Sequence, residues 1–330
     1  MRRRLLAALL VAGVVCAGCG SGSPHSGAGA AAPPRDATLV LDFTPNAVHA
    51  GIYSAIARGY DRAAGVRLHV IVPSASTDSI RLLETGRVSF AILDIHDLAI
   101  ARARGAGIVG IMAIVQRPLA AVIAAPAVRT PRSLDGRLVG ITGVPSDAAV
   151  LRSVVGGAGG DAGAVRTITI GFNAVADLLA GRVAAATAFW NDEGVTLALR
   201  RPGFHSFRVD DYGAPSYPEL LLCGTRSAVD GDPALARAVV RALVRGYSFT
   251  LGDPGAGARE LESAVPGLDP RLVAAQLAAV APAFRAPDGR VGELSLSRLR
   301  AWAVWEARFG IVPRVPDVRA MFDTRFLGGR

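Results

Sequence analysis

The stretch ATLVLDFTPNAVHAGIYSAIARGYDRAAGVRLHVIVP (37–73) decides how the chain is read. ATLVLDF (37–43) is apolar and β-rich and predicts a strand. TPNAVHAG breaks it, with Pro45 and Asn46 as turn residues. His49 to Arg58 then predicts a helix that Gly59 ends, and VRLHVIVP (66–73) predicts a second strand. Strand, turn, helix and strand in that order are the unit of an α/β domain.

The same alternation continues outward. Ser76 or Thr77 caps a helix over SIRLLET, which Gly86 stops. VSFAILD (88–94), IVGIMAIV (108–115) and LAAVIAA (119–125) predict strands, with the helix HDLAIARARG after the first of them. TPRSLDGRLVGIT (130–142) predicts a helical turn and a strand, and GVPSD (143–147) opens the helix AAVLRSVVGGAG. TITIGF (167–172) and VAAATAFW (183–190) flank the helix NAVADLLAGR. After the irregular RPGFHSFRVDDYGAPSYP comes the strand ELLLCGT (219–225). The tail is helical. Asp232-Pro233 and Asp269-Pro270 each pair an N-cap with Pro at the first helical position, and Ser295 starts a third helix, on which Trp302 and Trp305 pack against the body. This order predicts two lobes joined by a hinge, with 38–122 plus 226–326 as lobe one, 123–225 as lobe two, and a ligand cleft between them.

Composition narrows the class. The 330 residues are 51% hydrophobic, with a mean hydropathy of +0.37, 38 Gly and 20 Pro. That suffices for a large buried core and excludes a mini-protein, a disordered chain and a disulfide scaffold. A spanning helix needs about 20 consecutive apolar residues. The longest uncharged apolar run, Leu5 to Cys19, has 15. All 36 basic residues are Arg and the net charge is +9. The Arg residues are dispersed apart from Arg2-Arg3-Arg4, so nucleic-acid binding is not indicated.

The N-terminus reads as an address. MRRR, LLAALLVAGVV and CAGC supply a basic start, a short apolar stretch and small residues, the parts of an export signal. Ala17-Gly18-Cys19 resembles a bacterial lipobox, with Cys16 where Leu is usual. The expected arrangement is a signal peptide over 1–18, lipidation of Cys19 and a flexible Gly/Ser/Ala/Pro tether over 19–37. The protein is then extracytoplasmic and lipid-anchored to the cell membrane. Removing MRRR lowers the net charge to about +6. Cys223 alone remains in the body and reads as a small buried hydrophobe.

Chemistry-bearing motifs are sparse. No GxGxxG follows the first strand, GxxxxGK[ST], GxSxG and HExxH are missing, and there is no pair of CxxC motifs, so no cofactor is expected. Asp94, His96 and Asp97 in LDIHD are the one tight His/carboxylate group. They read as helix caps rather than a metal site. Polar and aromatic residues concentrate in four segments at strand ends, where α/β sheets bind ligands: LDFTPNAVHAG (41–51), LDIHD (93–97), GVPSD (143–147) and FWNDEG (189–194).

LDFTPNAVHAGIYSAIARGY (41–60) resembles the opening L-D-W-x-P-N-x-x-H-x-G-[IL]-Y-x-A and G-Y of bacterial ABC-transporter substrate-binding proteins for pyrimidine precursors of thiamine, with Phe43 in place of Trp. VQRPLAAVIA (115–124), SLDGRLVGITGVPS (133–146), DYGAPSYPELLL (211–222) and ALVRGYSFTLGDP (242–254) extend the resemblance. It implies an α/β, type II periplasmic-binding-protein fold. The implied function is the capture of hydroxymethylpyrimidine, formylaminopyrimidine or a similar flat heterocycle, by a monomer that delivers it to a membrane permease with a cytoplasmic ATPase. Similar proteins bind flavins, and branches sharing the fold take sulfonate or nitrate. Related enzymes that make the thiamine pyrimidine use clustered cysteines and a sacrificial His. That cysteine cluster is missing here, so a non-enzymatic reading is expected.

The candidate ligand-binding residues are Phe43, Asn46, His49, Asp94, Ser146, Trp190, Asn191 and Glu193. An aminopyrimidine needs aromatic faces and a few oriented hydrogen-bonding groups. Phe43 and Trp190 are expected to supply faces, one from each lobe. Asn46 can pair with an N/NH₂ edge, and Glu193 can accept from the exocyclic amine. Ser146 and the helix N–H groups after it can hold a hydroxymethyl or formyl oxygen. His49 either closes the polar edge or starts a helix.

Overall fold

The computed structural model describes residues 33–327 apart from 76 and 145. The signal peptide, Cys19 and most of the tether therefore lie outside the described residues, as does Ser76. The first part of the chain runs β1 (Arg35–Val40), a 3₁₀ turn at Ala47–His49, α1 (Ala50–Ala57), α2 (Tyr60–Ala63), β2 (Val66–Ile71), α3 (Asp78–Glu84), β3 (Phe90–Asp94), α4 (Ile95–Ala103) and β4 (Ile108–Ala113). The middle runs β5 (Ala120–Ala124), β6 (Leu138–Ile141), α5 (Asp147–Gly157), β7 (Arg166–Thr169), α6 (Ala174–Leu179), β8 (Ala185–Phe189), a π-helical turn over Trp190–Gly194, α7 (Val195–Arg200) and β9 (His205–Arg208). The tail runs β10 (Leu220–Thr225), α8 (Arg226–Gly231), α9 (Pro233–Gly252), α10 (Pro254–Ala264), α11 (Pro270–Val280), α12 (Leu296–Arg308) and α13 (Val318–Met321). Among the described residues, no helix is long and apolar enough to cross a membrane.

These strands form two five-stranded mixed sheets, ordered β2-β1-β3-β10-β4 and β7-β6-β8-β5-β9. In the first, β1 runs parallel to β2 and β3, and β10 runs antiparallel to β3 and β4. In the second, β6 runs parallel to β7 and β8, and β5 runs antiparallel to β8 and β9. Each sheet with its helices is one lobe. β4, β5 and nearly all of β3 and β10 are buried, as their uninterrupted apolar runs require of strands covered on both faces.

The chain crosses between the sheets twice, over 114–119 and over 209–219. The expected boundaries ran through LAAVIAA and ELLLCGT, but β5 lies whole in the second sheet and β10 whole in the first. Each is hydrogen-bonded along both edges, and a strand held that way cannot flex as a hinge. Glu219 ties the two crossings together. Its Oε2 accepts from Leu119 N at 2.7 Å and Ala120 N at 3.1 Å, and its carbonyl accepts from Ile95 N at 2.8 Å.

Three other details differ from expectation. β1 starts at Arg35, inside the stretch read as tether. β9 lies in the segment read as irregular. It is a four-residue edge strand, HSFR, too short and polar to show a two-residue period. Between Asp232 and Asp269 the tail holds two helices where one was expected, because Asp253-Pro254 repeats the Asp-Pro start and caps α10 through Ala256 N at 2.9 Å. Small residues let α9 press on α1: a Cβ on Gly246 would stand 2.0 Å from the Gly51 carbonyl oxygen. Tyr247 OH donates to Val48 O at 2.8 Å across that contact.

Candidate functional site

The carboxyl ends of β1, β3, β6, β7 and β8 converge on one cavity of about 110 Å³. Asp42 and Phe43 follow β1, and Asp94 ends β3. Thr142, Val144, Ser146 and Asp147 follow β6, Phe172 follows β7, and Phe189 ends β8 just before Glu193. This is the location that the topology of open α/β sheets favours for a ligand. Both lobes contribute aromatic rings. Phe43 from the first meets Phe172 from the second edge to face, with centroids 4.3 Å apart.

Among the described residues, five carboxylates line the cavity, those of Asp42, Asp94, Asp97, Asp147 and Glu193, and the lining includes no Arg and no His. Burial pushes Glu193 up to about 7. A hydrogen bond from Phe189 N to Oε2 at 3.0 Å partly offsets this, and the Asp42 charge adds to it. Burial and the neighbouring Asp94 push Asp97 up to about 8. Burial also raises Asp147, although Thr187 Oγ1 at 2.5 Å, Gly143 N at 2.7 Å and Thr142 Oγ1 at 3.0 Å all donate to it. Asp94 is raised well above the usual carboxylate range, by burial first and by Glu219 second.

Of the eight residues expected from the sequence, Phe43, Asp94, Ser146 and Glu193 line the cavity. Asp94 also caps α4, accepting from His96 N at 2.7 Å. Asn46, His49, Trp190 and Asn191 lie outside the lining. Asn46 caps the 3₁₀ turn through Val48 N at 2.9 Å, and its Nδ2 crosses the cleft to Asp192 Oδ2 at 3.1 Å. His49 is fully buried. Its Nδ1 accepts from Asn46 N at 3.2 Å, so Nε2 carries the hydrogen and donates to Asp42 Oδ1 at 2.9 Å. The ring thus orients a cavity carboxylate from behind. Asn191 is buried, and its Oδ1 has no partner among the described residues.

Trp190 is turned away from the cavity. Thr187 and Phe189 of β8 line the cavity, whereas Trp190 lies just past the strand end, in the π-helical turn, and does not. Its indole N–H donates to Pro118 O at 2.9 Å, and the Arg208 guanidinium stacks over the ring at 4.2 Å. The second lobe's aromatic faces are therefore Phe189 and Phe172. Phe172 ends an expected strand. Asp97 and Asp147 fall in LDIHD and GVPSD but were not among the expected contacts, and Thr187 carried no motif.

Behind the cavity, His96 is fully buried with both ring nitrogens engaged, Nδ1 at 2.7 Å from Glu306 Oε2 and Nε2 at 2.9 Å from Tyr217 OH. Burial alone would lower its pKa, but the Glu306 and Asp94 carboxylates outweigh it and hold the ring at about 10. Side-chain atoms of Asp94, His96 and Glu219 lie within 4.8 Å of one another. Their geometry is that of a cap and an ion-pair network.

Two lobes, two hinge crossings and a cavity between the sheet ends define a two-lobed periplasmic-binding-protein fold. The alkanesulfonate-binding protein SsuA from Xanthomonas axonopodis pv. citri, solved with MOPS bound, matches it with a TM-score of 0.71 at 17% identity, over 89% of this chain and 100% of that one. Residues 46–256 match the NMT1/THI5-like family, and the chain belongs to that family. A formylaminopyrimidine-binding protein of Halalkalibacterium halodurans is 31% identical over 219 residues, 66% of this chain and 66% of that protein, just under two thirds of its length. A 4-amino-5-hydroxymethyl-2-methylpyrimidine phosphate synthase of Aspergillus parasiticus is 23% identical over 239 residues, 68% of this chain and 69% of that protein.

Proposed function

We propose that this protein is the extracytoplasmic substrate-binding component of an ABC importer and captures a thiamine pyrimidine precursor, a formylaminopyrimidine or hydroxymethylpyrimidine. The observation that carries this reading is a small cavity lined by aromatic rings from both lobes and by five carboxylates without a cation. Such a lining suits a flat ring that presents N–H and O–H donors. It opposes a sulfonate or nitrate ligand, which needs donors or positive charge. A volume of about 110 Å³ lies below the roughly 300–1,000 Å³ of drug-sized sites and favours one ring over a three-ring flavin. Relatives named for a formylaminopyrimidine and for a pyrimidine phosphate agree in ligand class.

Binding without turnover is supported by the cysteine content. Cys223 is the one cysteine of the described residues, and burial pushes its thiol far up, leaving it unreactive. His49 is held on Asp42 outside the cavity. The ligand sits between Phe43 on one side and Phe172 or Phe189 on the other, with Glu193 accepting from the exocyclic amine. The closed protein, a monomer anchored through lipidated Cys19, then docks on a permease driven by a cytoplasmic ATPase. Titration calorimetry tests the ligand: formylaminopyrimidine or hydroxymethylpyrimidine releases heat, while an alkanesulfonate and riboflavin do not. Heat from sulfonate or riboflavin alone overturns the assignment. Cys19→Ala is expected to leave the membrane fraction, and full retention there overturns the anchor.

A further inference from the structure

Val304 and Val315, 58% and 57% exposed, are two of the five large apolar side chains that stand in the open among the described residues, and they line one groove on the outside of the first lobe. A single exposed valine is ordinary, but these two are ringed by cations. Arg300, Val304 and Arg308 recur every four residues on α12 and share its outward face. Arg300 and Arg319 border the groove, and Arg314 stands beside Val315. Arg226 and Arg325, next along the surface from Arg319, are paired with Asp323 and Asp230, whereas these four guanidinium groups form no ion pair among the described residues. Asp317 is the groove's one acid among the described residues. Its carboxylate is taken up in capping α13, accepting from Arg319 N at 3.0 Å and Ala320 N at 3.3 Å.

We infer that this patch is a docking surface for a bilayer rich in anionic phospholipid, with the guanidinium groups on headgroup phosphates and the two valines set among the headgroups. A guanidinium binds two phosphate oxygens at once, and a cationic rim around a small apolar centre matches the boundary between phosphate and acyl chain. The course of the chain supports a bilayer over a soluble acidic partner. α13 lies at the end of β4 where that strand begins, since Phe322 just past it bridges to Gly110. β4 runs parallel to β1, so β1 also begins, at Arg35, on that side of the first sheet. About 16 residues separate Arg35 from Cys19, and they span no more than roughly 55 Å. An acyl chain on Cys19 therefore holds the patch within reach of the bilayer, where even a weak attraction counts. The inference rests on the proposed anchor for that nearness and not for the patch itself. The cavity lies at the opposite, carboxyl ends of β1 and β3, so a body resting on this side keeps its ligand mouth toward the medium.

The test uses the chain from Gly20 onward, which carries no acyl site and includes the compact unit Pro34–Arg330. Flotation with millimolar lipid at low ionic strength compares vesicles of phosphatidylcholine alone with vesicles one third phosphatidylglycerol. Capture is expected on the anionic vesicles only, falling as salt rises. Each Arg replaced by Gln is expected to weaken it about fivefold, so Arg300→Gln, Arg308→Gln and Arg319→Gln together should weaken it about a hundredfold. Arg259→Gln, Arg271→Gln and Arg285→Gln remove the same charge from exposed positions elsewhere on the first lobe and should retain most of the capture. No capture on anionic vesicles, equal capture on both kinds, or equal losses in the two triple variants overturns the proposal. Both triple variants change exposed side chains alone, and an unaltered melting temperature checks that each folds. In cells a high-salt wash separates patch from anchor, since it releases protein held by the patch and leaves protein held by an acyl chain. Loss of anchoring with vesicle capture intact removes the anchor alone, and the reverse result removes the patch alone.

Discussion

Phe189→Ala and Trp190→Ala, made side by side, separate ligand contact from packing. The two rings are adjacent in sequence, but Phe189 lines the cavity and Trp190 does not. Trp190 is 6% exposed, donates its N–H to Pro118 O and carries Arg208 on its face. Truncating such a ring leaves a cavity and costs about 3–5 kcal/mol. In a body of this size about 2 °C accompanies each kcal/mol, so Tm should fall by roughly 6–10 °C. Phe189 is half-buried and opens onto the cavity. Its removal should lower Tm by no more than a few degrees but should weaken ligand binding. One aromatic contact plus the apolar area it covers amounts to about 1–3 kcal/mol, or between about fivefold and a hundredfold in Kd. Differential scanning calorimetry gives the first quantity and titration calorimetry the second. If Trp190→Ala abolishes binding while Tm holds, and Phe189→Ala leaves Kd unchanged, the assignment of Phe189 to the ligand and Trp190 to packing is wrong.

Acid groups held above their ordinary range keep a proton in the folded state, so the stability they contribute is present below the unfolded pKa and is lost as pH rises through the folded one. With Glu193 at about 7, Asp97 at about 8 and His96 at about 10, the ligand-free protein should unfold at lower denaturant concentration at pH 9 than at pH 5.5, and Glu193→Gln should flatten the lower part of that slope. A midpoint that climbs steadily from pH 5.5 to 9 contradicts the proton bookkeeping. Asn46→Ala removes the donor to Asp192 across the cleft, so it should raise Kd while enlarging the radius of gyration measured by X-ray scattering with ligand present. An unchanged radius would show that this bond does not hold the lobes. Gly246→Ala places a methyl group against the Gly51 carbonyl and Ala55 and should cost about 1–3 kcal/mol or more on thermal melting. A melt equal to wild type would mean that α1 and α9 separate freely.

Much of the architecture was legible because it rests on local chemistry. The Asp-Pro starts at Asp232 and Asp269 mark α9 and α11 without any tertiary information, and the buried strands announce themselves as long apolar runs. Edge strand β9 was not legible, since its four residues have one neighbour strand and no apolar alternation. The candidate site was half legible for a related reason. A motif indicates that a strand end is special, but whether a given side chain faces the ligand depends on where the strand stops. Trp190 and Phe189 exchange roles on a shift of one residue. Asn46 and His49 belong to the motif and still point away, because the turn after β1 uses both in a capping box. Asp97 could not have been found alone, since its partner Ser146 is 49 residues away in the other lobe.

That division within single motifs bears on how binding can move the lobes. In FWNDEG, Phe189 and Glu193 face the cavity, Trp190 holds the crossing at Pro118, and Asp192 accepts from Asn46 and from Gln276 of α11 in the first lobe. Ligand contacts and closure contacts therefore alternate along one strand end and its π-helical turn. A ligand that draws on Phe189 and Glu193 fixes the backbone that aims Trp190 and Asp192, so it contacts the closed arrangement more fully than an open one. That differential affinity is the one route by which a ligand can shift the balance between the two. On the proposed function, the same hexapeptide therefore couples ligand contact to the contacts between the lobes.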